Sequence, residues 1–277
     1  MTADAGAEYA YLRQVVFNQS QNVLDPSRDY LFDARLARLL RIHGFTRVEQ
    51  LAHHLRRGRD PALERAIAEA MTINETSFFR DSRPFELMRL ELLPRLIEAR
   101  RPARSLRFWS AACSTGQEAY SLAILIREYF PLLAGWNIRI EGTDIASEVV
   151  QRARQGRYHR IEMNRGLPAR FIVRYFDRHE DDWIAKPELR RICHFRQANL
   201  CIAPLLFHER FDVILLRNVM LYFAHQSRLT LLAGVHGLLA PDGVLLLGSA
   251  EQPADLAQWT PVLTGGTCYF RPRATGQ

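Results

Sequence analysis

The stretch Arg107-Phe-Trp-Ser-Ala-Ala-Cys-Ser-Thr-Gly-Gln-Glu-Ala-Tyr-Ser121 constrains the fold more than any other part of this chain. Leu106, Phe108 and Trp109 are strand formers. Ser110 to Gly116 carries no bulky side chain, and Tyr120, Ala123 and Ile124 then recur at helical spacing. The pattern predicts a buried strand, a turn of small residues that lets a ligand approach the backbone, and a helix over Gln117–Tyr129. A small-residue loop that leaves a strand and opens a helix is how α/β proteins hold nucleotide-like ligands.

The surrounding texture agrees with such a fold. Strands are predicted at Leu106–Trp109, Ile138–Thr143, Ile192–Ala198, Phe211–Leu216 and Val244–Gly248, and a final pair near Pro261–Leu263 and Thr267–Phe270. Helices intervene at Ser147–Gln155 and Ser227–Leu239. Alternating elements with Val/Ile/Leu-rich strands indicate an α/β, doubly wound parallel sheet with a late antiparallel edge strand. The piece from 171 to 196 breaks the alternation and is expected to be a small inserted β-subdomain. Upstream, residues 1–85 are expected to form an all-α N-terminal domain, 86–104 a linker helix and 105–277 the sheet domain. Within the first, helices are predicted at Tyr9–Asn18, from Asp25 to His43, at Val48–Leu55 and at Pro61–Met71, with a further helix at Phe85–Glu98.

The formal charge is +7, and Lys186 is the chain's one lysine, so the basic residues are otherwise arginines. Between Arg28 and Arg59, eight arginines face Asp29, Asp33 and Glu49, a net of +5 in one small region. On a helical wheel Phe32, Leu36, Leu39, Leu40 and His43 share one side, and Arg35, Arg38 and Arg41 share another. An anionic partner is expected there. No apolar run approaches bilayer length, and the N-terminus lacks the basic start and apolar stretch of a secretory signal; a cytoplasmic, monomeric protein is expected. The four cysteines, Cys113, Cys193, Cys201 and Cys268, form no CxxC pair and have no zinc-ligand spacing, so no metal is expected. Cys113 reads as a small filler of its loop rather than as a nucleophile.

Three constellations carry chemistry. Glu118 follows the small loop, where it reads either as one half of a capping box with Thr115 or as a group facing a ligand. Asp144 closes the second strand, at the position that accepts hydrogen bonds from ribose hydroxyls in such sheets; it also reads as a cap for the helix at Ser147. Arg217 and Asn218 end the strand Phe211–Leu216, with Tyr222 close behind, at the edge where ligands bind. The loop is glycine-poor and lacks GxGxxG. That disfavours a pyrophosphate and points to a cofactor with ribose and no phosphate, S-adenosylmethionine. Asn74-Glu-Thr-Ser-Phe-Phe-Arg80 reads by composition as an interdomain hinge.

Taken together, Asn74–Arg80, Phe108–Glu118, Gly142-Thr-Asp-Ile145, Ala198-Asn-Leu200, Phe211–Met220 and Leu239-Ala-Pro-Asp-Gly243 resemble, in order and spacing, the chemotaxis receptor methyltransferases of the CheR family. The arginine-rich segment from Ser27 to Phe45 is similar to that family's second helix. The resemblance implies a Rossmann-like class I methyltransferase sheet and S-adenosyl-L-methionine as cofactor, with S-adenosyl-L-homocysteine as product. It implies glutamate side chains on cytoplasmic chemoreceptor helices as substrates, and no nucleic acid. It also implies that Asn74, Thr76, Arg80, Glu118, Asp144, Asn199, Leu200, Arg217 and Asn218 meet the cofactor, and that Arg80 and Tyr222 lie near the transferred methyl. Arg35, Arg38 and Arg41 become a docking face for glutamate-rich helices. The inserted lobe departs from family members that dock a receptor tail peptide: it is shorter and has no glycine, so a tail-independent enzyme is expected. The alternatives from other classes are a nucleic-acid methyltransferase, suggested by charge, and a cofactor-binding sensor without catalysis.

Overall fold

The computed structural model describes residues 3–201 and 206–273. They fall into two compact units. One ends at Ile73 and includes Tyr222–Ser227; the other comprises Asn74–Leu221 and Arg228 onward.

The first unit is helical: α1 (Ala3–Ser20), α2 (Tyr30–Ile42), α3 (Val48–Arg57) and α4 (Pro61–Ala70). Apolar residues at helical spacing close one core, in which Leu12, Val16, Phe32, Leu36, Leu51, Leu55, Leu63 and Ile67 are buried. Punctuation residues set the ends. Asp25 accepts from the Ser27 N–H ahead of a short 3-10 turn at Pro26–Arg28. Asp60 caps α4 by accepting from Ala62 and Leu63, with Pro61 at the first position, where its missing N–H costs nothing.

Two expectations for this region are corrected. His43 is exposed and Leu39 only half-buried, so the buried stripe of α2 is Phe32, Leu36 and Leu40. Arg35 is half-buried rather than part of an open basic face. Its guanidinium donates to the carbonyls of Met71 at 2.8 Å and Thr72 at 3.1 Å, closing the C-terminal end of α4.

The second unit starts earlier than the sequence suggests. The expected helix over Phe85–Glu98 is divided into α5 (Arg83–Leu87), a π-turn at Met88–Leu92 and α6 (Leu93–Arg100). Pro94, which lacks an N–H for the ladder, lies at the start of the last piece. Phe85, Met88, Leu92 and Leu93 are buried in the same core as the sheet, so 74–104 belongs to this unit and is neither hinge nor linker.

Then follow β1 (Ser105–Ala111), α7 (Gln117–Tyr129), β2 (Asn137–Asp144) and α8 (Ser147–Gln155). After them come β3 (Arg157–His159), α9 (Arg160–Asn164), α10 (Ala169–Tyr175), β4 (Phe176–His179), β5 (Asp182–Ala185) and α11 (Pro187–Arg190). The chain ends with β6 (Cys193–Gln197), β7 (Phe211–Leu216), α12 (His225–Leu238), β8 (Leu239–Leu247), β9 (Trp259–Thr264) and β10 (Thr267–Pro272). The main sheet has seven strands in the order β6-β2-β1-β7-β8-β10-β9. β6, β2, β1, β7 and β8 run parallel, and β10 is antiparallel to both β8 and β9. All six residues of β7 are buried, as a parallel strand covered on both faces requires.

Register places Ala111, Thr143, Leu216 and Leu247 side by side at the carboxyl edge. Strand order reverses at β1, and that edge is where such sheets bind ligands. The inserted lobe is the three-stranded sheet β3-β5-β4, which begins at Arg157, ahead of residue 171, while Phe195 lies in the main sheet. The three residues of β3, of which Tyr158 alone is buried, are too short to show a strand pattern in sequence.

Candidate functional site

The site grows from the loop between β1 and α7. Ala112 (φ 57), Ser114 (φ 49) and Gly116 (φ 92) alternate into the left-handed region. Such conformations cost energy for residues with a Cβ and persist where the surroundings over-determine them. Here the Cys113 N–H donates to the Thr143 carbonyl at 2.9 Å and the Ser114 N–H to Asp144 Oδ2 at 2.9 Å. At Gly116, which caps α7, a Cβ would lie 3.0 Å from Ala153 Cβ and 3.2 Å from Phe195 Cζ; only glycine meets both the dihedral and the space. Burial, and then the Asp144 and Glu118 carboxylates, push the Cys113 thiol well above its ordinary range. It is a filler, not a nucleophile.

Asp144 is buried at the end of β2. Besides Ser114 it accepts from the Ala146 N–H at 3.0 Å, while Ala146, not Asp144, caps α8. Its carbonyl receives the Ala198 N–H at 2.8 Å, which brings Asn199 and Leu200 to the same edge. Asn199 Oδ1 accepts from the Cys201 N–H, and Leu200 is buried.

Glu118 makes no capping box. Thr115 Oγ1 donates instead to Gln117, and Glu118 accepts from Ser110 Oγ and from Arg217 Nη1, both at 2.8 Å. The Glu118–Arg217 pair thus joins the helix after β1 to the carboxyl end of β7, across the point where strand order reverses. Only 2% of the Arg217 side chain is exposed, so the pair is shielded from water and strong only while fully hydrogen-bonded. Arg217 Nη2 donates to the Arg80 carbonyl at 2.8 Å and to Asp81 at 2.9 Å, and the guanidinium lies over the Phe85 ring. Its Nε is buried with no partner among the described residues.

The segment Asn74–Arg80 is pinned to this cluster. Phe78 is fully buried against the rings of Tyr158 and Phe176. The Phe79 N–H donates to Ser121 Oγ at 2.8 Å, and Ser114 Oγ donates to the Asn74 carbonyl at 2.8 Å. Phe79 (φ 48) and Asp81 (φ 58) are left-handed on either side of Arg80, making a sharp turn there. Arg80 is half-buried, and its Nη1 donates to the Glu75 carbonyl at 2.8 Å. An ion pair with Arg165, aided by Arg80, holds the Glu75 carboxyl below the usual range.

Ser114 links Asn74 to Asp144, and Arg217 links the Arg80 backbone to Glu118. Asn74, Thr76, Arg80, Glu118, Asp144, Asn199, Leu200, Arg217 and Asn218 all lie in the second unit. Tyr222 packs with the first: its carbonyl accepts the Val23 N–H at 2.8 Å, and its neighbour Phe223 bridges to Asn22. Among the described residues, no group of His, Cys, Asp and Glu could hold a metal ion, and no helix is long and apolar enough to cross a membrane. Sequence reasoning missed Ser110 and Ser121, whose hydroxyls orient Glu118 and the 74–80 segment. It also missed Glu251, a buried carboxylate behind Asn218. Nothing in local sequence separates these from ordinary core and turn residues.

Comparison with known proteins accords with this geometry. Residues 74–267 match the family described as "CheR methyltransferase, SAM binding domain", and residues 7–72 match "CheR methyltransferase, all-alpha domain". The chain is 35% identical over 251 residues to "Chemotaxis protein methyltransferase 1" of Pseudomonas aeruginosa, covering 89% of this chain and 90% of that protein. It is 34% identical over 247 residues to the protein of the same name in Vibrio cholerae, covering 88% of each. It is 32% identical over 269 residues to the "Chemotaxis protein methyltransferase" of Escherichia coli, covering 95% and 90%. The chain belongs to the CheR family and is an S-adenosylmethionine-dependent methyltransferase of chemotaxis, with S-adenosylhomocysteine as its product.

Proposed function

We propose that the protein transfers the methyl group to glutamate side chains on the cytoplasmic helices of chemoreceptors, giving glutamate methyl esters, and that it does so without a receptor tail peptide. The observation that carries this reading is the Arg80–Arg217–Glu118 cluster at the carboxyl edge of β1 and β7. It offers an oriented ion pair, Glu118 with Arg217, whose guanidinium also donates to the Arg80 carbonyl.

The residues fit S-adenosylmethionine. Asp144 lies at the ribose position of the fold, with both oxygens already oriented by backbone N–H groups. Glu118 matches an ammonium and Arg217, with its unpartnered buried Nε, matches a carboxylate. When bound, the cofactor supplies a methyl group made electrophilic by a positive sulfur.

A glutamate carboxylate has a reference pKa of about 4.3, so near pH 7 it is already the nucleophile and needs no general base. The acceptor oxygen gains the methyl, and opposite charges disappear in the products. Water stabilises the separated charges more than the transition state, so a shielded site that aligns the reactants favours the step. Arg80, set between two left-handed residues, orients the incoming carboxylate.

Arg38 and Arg41, both exposed on α2, steer glutamate-rich helices by charge; Arg35 is withdrawn from that role by its bonds to Met71 and Thr72. Tail independence is supported by the lobe itself. The β4–β5 hairpin turns at Glu180 (φ 57) and Asp181, with no glycine from 171 to 196.

The test is transfer of radiolabelled methyl groups to receptor-containing membranes. Base-labile label on receptor is expected, because esters hydrolyse in mild base; base-stable label, or label on nucleic acid, refutes the reading. Tight binding of a receptor tail pentapeptide in calorimetry would overturn tail independence.

A further inference from the structure

Glu251 lies three residues beyond Gly248, after β8, and no step of the chemistry above uses it. It is 7% exposed. Oε1 accepts the Val219 N–H at 2.9 Å and the Met220 N–H at 2.8 Å. Oε2 accepts the Asn218 N–H at 2.6 Å and the Gly248 N–H at 2.8 Å. Two carboxylate oxygens have about four lone-pair sites, and backbone donors occupy all of them. Glu251 is therefore no base.

What it holds is the turn after β7. Asn218 adopts φ 61, a conformation that is unfavourable for a residue with a side chain. Three successive N–H groups, from Asn218, Val219 and Met220, then converge on one point. Without an acceptor there, one buried and two part-buried donors would lose their partner, and the chain would relax to a more ordinary turn. Gly248 completes the fit. A Cβ there would lie 2.7 Å from Glu251 Oε2 and 2.8 Å from Asn218 Nδ2. The turn is thus gripped from two sides: Glu118 and Asp81 hold the Arg217 side chain, and Glu251 holds the backbone one residue later.

We infer that Glu251 is a positioning residue for cofactor binding, acting by fixing the 217–220 turn so that Arg217 meets Glu118. This rests on that turn being part of the S-adenosylmethionine site and is independent of which acceptor is methylated.

The test compares Glu251→Gln and Glu251→Asp with Asp212→Asn. Asp212 is a matched control, a buried carboxylate at the opposite end of β7 that accepts the Arg107 N–H. In Glu251→Gln the amide retains one acceptor oxygen and turns an NH2 towards two N–H donors. S-adenosylhomocysteine affinity by calorimetry should fall about tenfold or more, as expected for losing charged hydrogen bonds. Amide hydrogen exchange at Asn218–Met220 should accelerate. Glu251→Asp should fall between Gln and wild type. Asp212→Asn should leave affinity unchanged. Wild-type affinity in Glu251→Gln, or equal loss in Asp212→Asn, overturns the inference. If Glu251→Gln does not fold, Gly248→Ala, which displaces the same groups while keeping the carboxylate, must show the loss of affinity; unchanged affinity there overturns it too.

Discussion

Arg217 concentrates the physics of the site in one side chain. It is buried, joined to two carboxylates and a backbone carbonyl, and retains an unpartnered Nε. Replacing it by Met keeps volume and apolar packing but leaves Glu118 without its cation. With charged hydrogen bonds worth about 1.5–3 kcal/mol each, S-adenosylhomocysteine affinity should fall about a hundredfold in calorimetry. A loss below threefold would contradict the role given to the pair. The cysteines offer a second check. Burial pushes the Cys113 and Cys193 thiols up, while Cys268 is exposed. A thiol reagent on the native protein should label Cys268 first and reach Cys113 and Cys193 only on unfolding; prompt loss of cofactor binding through Cys113 labelling would contradict this. At this scale the sequence showed Glu118, Asp144, Arg217 and Asn218, because strand ends and a small loop mark them. It could not show Glu251, which lies 33 residues beyond Asn218 and reads as part of an ordinary loop. Nor could it show that Arg35 turns inward, since a helical wheel gives direction and not partners.

Among the elements, the β1–α7 loop and the 74–81 segment are both built on left-handed residues held by hydrogen bonds. Gly116→Ala puts a Cβ at φ 92 and against Ala153 and Phe195. It should cost about 1–3 kcal/mol, lowering Tm by several degrees in calorimetry with a parallel loss of cofactor affinity; an unchanged Tm would refute the constraint. In the helical unit, Arg35→Ala removes two bonds at the end of α4 and should destabilise that unit by about 1–2 kcal/mol in chemical unfolding. Arg38→Glu with Arg41→Glu should leave stability and cofactor affinity alone and reduce receptor methylation; equal loss of cofactor affinity would refute a docking role. Long elements were legible: α7, α8 and β7 have the bounds the pattern predicts. Short ones were not. β3 has three residues, and the 74–80 segment reads as a hinge because its anchor, Phe78, finds its ring partners far along the chain.

For the molecule as a whole, one ionic junction at the amino edge of the sheet ties elements distant in sequence. Arg100, at the end of α6, bonds Asp212 of β7 at 2.7 Å and Asp242 of β8 at 2.6 Å and 3.0 Å. The Arg100 hydrogen bond holds the Asp242 carboxyl below its ordinary range, whereas burial pushes Asp212 up. The signs oppose. Asp242 contributes stability above its unfolded value, about pH 4, and loses it as pH falls through the depressed folded value. Asp212 favours the protonated folded state and so acts in reverse. Asp242→Asn should therefore lower stability near pH 6 and have less effect near pH 3 in urea unfolding; an equal effect at both would contradict the assignment.

The most direct test of the proposed activity joins site and substrate. Receptor-containing membranes are incubated with the protein and S-adenosylmethionine, and the receptor is digested and sequenced by mass spectrometry. A methyl ester on glutamates of the cytoplasmic helices, lost with Arg217→Met, is expected. Methyl groups on any other residue type, or an unmodified receptor beside a protein that binds S-adenosylhomocysteine normally, would contradict it.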